Sequence, residues 1–72
     1  MDAIIGRKTY MPLDIEGATI LDRNGDYNIY INDRISFDRQ CVAFRHEIEH
    51  IKQGHFYSYE DLLALEKQAA YG

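Results

Sequence analysis

Ala18-Thr19-Ile20-Leu21-Asp22-Arg23-Asn24-Gly25-Asp26-Tyr27-Asn28-Ile29-Tyr30-Ile31-Asn32 is the stretch that decides how this chain folds. Two β-forming runs flank Arg23-Asn24-Gly25-Asp26, and Asn-Gly between such runs is the strongest short-range hairpin signal, because both residues tolerate the positive φ of a tight reversal. In the second run Tyr27, Ile29 and Ile31 alternate with Asn28, Tyr30 and Asn32, so one face of the strand is expected to be buried. Upstream the signals are weaker. Ala3-Ile4-Ile5 reads as a short strand, and Met11-Pro12 and Gly17 punctuate the segment between it and the hairpin.

Downstream the period changes from two to three and four. Ser36 is a natural N-cap, Asp38 suits the first turn and Gly54 a C-terminal stop, which predicts a helix between them. Phe37, Cys41, Phe44, Ile48 and Ile51 form one apolar stripe, expected to face the core. Cys41, lying on that stripe, reads as a small core residue. At about 100° per residue, His46 and His50 project from nearly the opposite side, together with Ala43 and Gln53. Ser58-Tyr59-Glu60-Asp61 then resembles a cap with acids in the first turn, opening a second helix to about residue 70. The expectation is an α+β fold: a small hairpin or sheet, a first helix and a second helix packed on it.

Seventy-two residues make a single domain, 1–72. So short a chain buries only about 60% of its unfolded surface and is marginal without a staple. One cysteine leaves no internal disulfide and suits a reducing cytoplasm. The formal charge of −4, with eight basic residues scattered along the chain, argues against direct nucleic-acid binding. No apolar run approaches membrane length, and the N-terminus lacks a secretory pattern.

His46-Glu47-Ile48-Glu49-His50 spells H-E-x-x-H. Two imidazoles four residues apart leave a helix in the same direction and can share one Zn²⁺, while the intervening carboxylate can take a proton from a bound water. A third ligand is then needed. Glu66 projects from inside the arc formed by Tyr59, Leu62, Leu63, Leu65, Ala69 and Ala70. A carboxylate there costs several kcal/mol unless compensated. Zinc is the economical partner; Arg7, Lys8 or Arg45 are the alternatives. His55 competes as third ligand, but a metzincin pattern wants Gly and His where this chain has Gln53 and Phe56, so Glu66 is favoured. His55, Tyr57 and Tyr59 are the candidates for contacting an oxyanion or substrate, and a substrate could add as a strand along the hairpin edge.

From about Asn24 to Tyr71 the chain resembles the ImmA/IrrE-type metallopeptidases of bacteria and phages. The resemblance rests on the strand at 26–32, on the H-E-x-x-H helix followed by Gly54-His55-Phe56, and on Glu66-Lys67-Gln68-Ala69-Ala70, similar to the family's E-x-x-A-[ND] element. It implies a gluzincin-like, minimal zincin-like fold, with zinc on His46, His50 and Glu66 and Glu47 as general base. It further implies a peptidase acting on a cytoplasmic helix-turn-helix repressor, as in phages and other mobile elements. Family domains are usually longer. Ala70 stands where the family has Asn or Asp, and Glu49 where a small residue is common. The alternative is therefore a zinc-stapled interaction module that binds such a regulator without cutting it.

Overall fold

The computed structural model describes residues 3–58. They form β1 (Ile4–Thr9), β2 (Gly17–Leu21), β3 (Tyr27–Asn32), α1 (Phe37–Gln53) and β4 (Tyr57–Ser58). The four strands make one sheet in the order β1-β3-β2-β4, so the fold is a small α+β arrangement of a sheet and one described helix. The second helix expected over residues 58–70 lies, beyond Ser58, outside the described residues. Among those described, no helix is long and apolar enough to cross a membrane.

β2 and β3 form the expected hairpin, with Leu21 opposite Tyr27 and Gly17 opposite Ile31. Its connection is organised by one carboxylate. Asp22 Oδ1 accepts from the backbone N–H groups of Asn24 and Asp26 at 2.9 and 3.0 Å. Asn28 Nδ2 donates to Asp22 Oδ2 at 2.9 Å. Donation from Asn28, followed by that from the Asp26 N–H, holds the Asp22 carboxyl below its ordinary pKa. Gly25 supplies the positive φ of 83°.

β1 is longer than Ala3-Ile4-Ile5 suggested and runs parallel to β3, pairing Ile4 with Tyr27 and Lys8 with Ile31. β3 is therefore central. Its apolar face buries Ile29 and Ile31 as expected, but Asn28 and Asn32 are buried too, on the other face. Their amides explain how. Asn28 Oδ1 accepts from Arg7 Nε at 3.0 Å, and Asn32 Nδ2 donates to the carbonyls of Pro12 and Ile15 at 2.9 and 2.8 Å. Asn32 thereby fastens the 10–16 loop, which Glu16 also ties to α1 through Arg39 at 2.6 Å. Buried amides with their hydrogen bonds satisfied cost little.

α1 begins and ends as the sequence predicts. Ser36 accepts from the Arg39 N–H, and Gly54 adopts the left-handed conformation at φ 75°. Its orientation, however, differs from expectation. Ala43 is the buried helical residue, and only Ile48 and Ile51 of the stripe pack against the Ile29–Ile31 core. Phe37 is 69% exposed, Phe44 is exposed and Cys41 is exposed, so Cys41 is not a core residue. The helix is turned so that Ala43, Glu47 and Ile51 lead towards the sheet. Ala43 is small enough to let it approach, and Glu47 finds a buried polar partner there.

Candidate active site

β2 presents alternate residues to α1. Thr19 lies opposite Ile29 in the register, hence on the helix-facing side, and is only 2% exposed. Its Oγ1 donates to Glu47 Oε1 at 2.9 Å. A buried hydroxyl needs such an acceptor, and a half-buried carboxylate needs such a donor. Gly17, two residues before, keeps β2 close to the helix: a Cβ there would lie 3.1 Å from both Ile31 Cδ1 and the Tyr30 carbonyl and 3.5 Å from Glu47 Cγ. Sequence reasoning missed Thr19. Its signal was the alternation of Gly17, Thr19 and Leu21, which puts a hydroxyl on the face any covering helix must meet.

His46 and His50 are brought together, their rings edge to face with centroids 4.5 Å apart and an interplanar angle of 78°. His46 is exposed and His50 half-buried, so the histidine side adjoins the sheet-facing line rather than opposing it. His55 comes near because the Gly54 cap turns the chain back: the His55 N–H donates to the His50 carbonyl at 2.8 Å, and the Gly54 N–H to that of Ile51 at 3.1 Å. The His55 ring lies 6.1 Å from that of His50, tilted by 49°. Phe56 then packs edge-on against Tyr27 at 5.1 Å, which sets the start of β4.

Glu47, His50, His55 and Tyr57 share the wall of a hollow of about 410 Å³ with Gly17, Ala18 and Thr19. A neighbouring hollow of about 490 Å³ reaches His46 and the Asp14–Glu16 side of the loop, and shares Gly17, Glu47 and His50 with the first. β4 pairs only with Ile20 and Leu21. Beside this hollow, therefore, the β2 edge at Gly17, Ala18 and Thr19 has no strand partner among the described residues.

Among the described residues, no three His, Cys, Asp or Glu side chains are grouped to hold a metal ion. His46 and His50 lie side by side, and His55 does not complete a ligand group with them. Glu66 and Tyr59 lie outside the described residues. Compared with known proteins, the chain matches no family model, no curated protein and no solved structure.

Proposed function

We propose that this chain is a zinc-dependent peptidase of the ImmA/IrrE type, with a minimal zincin-like fold, acting on a cytoplasmic helix-turn-helix regulatory protein. The observation that carries this reading is the placement of Glu47. Its carboxylate meets Thr19 and shares a hollow with His50, beside a strand edge that has no strand partner among the described residues. The donor set fits zinc in part: two imidazoles at helical spacing supply two of the three protein ligands of a catalytic site, and Glu66 is the proposed third. When bound, zinc supplies Lewis-acid polarisation and a water of lowered pKa.

The chain's own residues would do the rest. A peptide added antiparallel or parallel to Gly17, Ala18 and Thr19 is held by backbone hydrogen bonds alone. Thr19 fixes Glu47 Oε1, which leaves the carboxylate oriented to accept a proton and pass it to the leaving amine. Tyr57 and His55, which line the same hollow, are the candidates to donate to a developing oxyanion.

One observation favours the second reading, a zinc-stapled interaction module. The Thr19–Glu47 bond joins helix to sheet, which gives Glu47 a structural role without chemistry. The deciding experiment measures zinc in protein purified without added metal, then incubates it with a helix-turn-helix repressor encoded beside its gene. One equivalent of zinc, lost in His50→Ala and strongly weakened in Glu66→Ala, with cleavage of the repressor, supports the peptidase. Zinc and binding without cleavage over hours leave the interaction module. Zinc content unchanged in His50→Ala removes both.

A further inference from the structure

Asn24-Gly25 has a chemistry of its own beside its use in the hairpin. Where glycine follows asparagine, no Cβ blocks the glycine nitrogen from the asparagine side-chain carbonyl, and the pair can close a five-membered imide. The chain has three asparagines, and Asn24 is the one that precedes a glycine. Asn28 precedes the β-branched Ile29 within β3, and both ends of its amide are bonded, to Asp22 and to Arg7. Asn32 precedes Asp33, is fully buried and gives its amide to two carbonyls.

The folded turn restrains this reaction through one side chain. Asp22 Oδ1 takes the N–H groups on either side of Gly25, those of Asn24 and Asp26. The Gly25 N–H itself donates to the Asp22 carbonyl at 3.2 Å, a longer bond than either. No described residue other than glycine has a positive φ, so Gly25 alone takes the left-handed step. Ring closure requires the Gly25 nitrogen to leave Asp22 and Asn24 to turn about its ψ, and the Asp22 carboxylate opposes both by gripping the flanking N–H groups. Its charge also opposes the negative charge that builds on the Gly25 nitrogen as the proton leaves.

We infer that Asn24 is a site of self-modification whose rate the Asp22 clamp sets, each opening of the turn exposing Asn24 Cγ to the Gly25 nitrogen. Base takes the Gly25 proton, the N–Cγ bond forms and the Cγ–Nδ2 bond breaks, and ammonia leaves. Water, the one co-reactant, then opens the imide. Cleavage between nitrogen and Cγ gives aspartate; cleavage between nitrogen and the main-chain carbonyl carbon gives isoaspartate, its backbone running through Cβ and Cγ. In sum, one amide and one water become one carboxylic acid and one ammonia. The isoaspartyl form does not fit the turn. Its extra backbone carbon carries the flanking N–H groups apart, and a third carboxylate joins Asp22 and Asp26. Modification therefore loosens the hairpin on which β1 and α1 rest. This inference is independent of the zinc site.

The test incubates the full chain in mildly alkaline buffer, with and without urea, and maps the lysine-specific fragment 9–52 by mass spectrometry. An isoaspartyl-specific methyltransferase counts isoaspartate. In native protein the acid should form at Asn24 before Asn28 or Asn32, with isoaspartate in excess, and more slowly than in urea. Asp22→Ala should speed native modification about tenfold, equivalent to about 1.4 kcal/mol of turn stability. Asn24→Gln, which keeps the backbone N–H groups but must close a six-membered ring, should lose it. Wild type held by urea at the unfolded fraction of Asp22→Ala controls for lost fold, and a rate equal to the variant's overturns the role of the clamp. Equal rates in native and unfolded wild type overturn it too. A native chain left intact while the unfolded chain reacts to completion overturns the site, as does equal modification at Asn28 or Asn32. Aged protein rich in isoaspartate should melt below Asn24→Asp, which adds the charge without the carbon; equal melting overturns the loosening of the hairpin.

Discussion

Glu47→Gln replaces one carboxylate oxygen with an amide nitrogen yet keeps Oε1 as an acceptor for Thr19. The variant should therefore retain fold and zinc while cleavage falls by about 10²–10⁴-fold, the range of a lost general base. Glu47→Ala removes the acceptor as well. It leaves a buried hydroxyl unpaired and should cost a further 1–3 kcal/mol or so, measured by thermal melting. Equal melting temperatures for the two variants would deny the Thr19 bond any structural weight. Asp22 supplies a second residue-level test, in pH. Its folded pKa is depressed, so its contribution is present above the unfolded value near 3.8 and is lost as pH falls through the lower folded value. Melting of the wild type should weaken across that acid window. Asp22→Asn should be less stable near neutrality and flatter below it.

At the scale of the elements, local chemistry was legible and long-range choice was not. Asn24-Gly25 announced the hairpin, and Ser36 and Gly54 announced both ends of α1, because turns and caps are decided by a few adjacent residues. β1 was under-read, since Arg7 and Lys8 interrupt its apolar pattern and its partner β3 begins more than a dozen residues after it ends. The stripe on α1 correctly marked an apolar face but not which face meets the sheet. That was decided by the small Ala43 and by a hydroxyl on another strand, neither of which periodicity weighs. Of the candidate site, the adjacency of His46 and His50 was readable, while Thr19 was not noticed. The Gly54 cap can be tested alone, because a Cβ there meets nothing within 4 Å among the described residues. Gly54→Ala should cost about 1–2 kcal/mol, purely from the left-handed backbone, and lower the melting temperature by roughly 4–16 °C. A negligible change would mean that the chain leaves α1 by another route.

For the molecule as a whole, the buried apolar side chains among the described residues are Ile29, Ile31 and Ala43. A 72-residue domain is marginally stable, so any bound ligand is a large share of its stability. If zinc binds as proposed, saturation at a thousandfold excess over Kd adds about 4 kcal/mol, against the 5–15 kcal/mol typical of a domain. Chelation should then lower the melting temperature by many degrees, and a melting curve indifferent to chelator would remove zinc from the structural account. The parallel seat of β1 beside β3 has a consequence in time. The hairpin closes over a short loop, but β1 can join only after the β3 edge exists, so its contacts carry the higher loop-closure entropy. The expected order of folding therefore puts the hairpin in the nucleus and the N-terminal strand late. In stopped-flow chevrons Asp22→Ala should chiefly slow refolding, whereas Ile5→Ala should chiefly speed unfolding. During synthesis the first strand must wait for the third before it has a ladder to join.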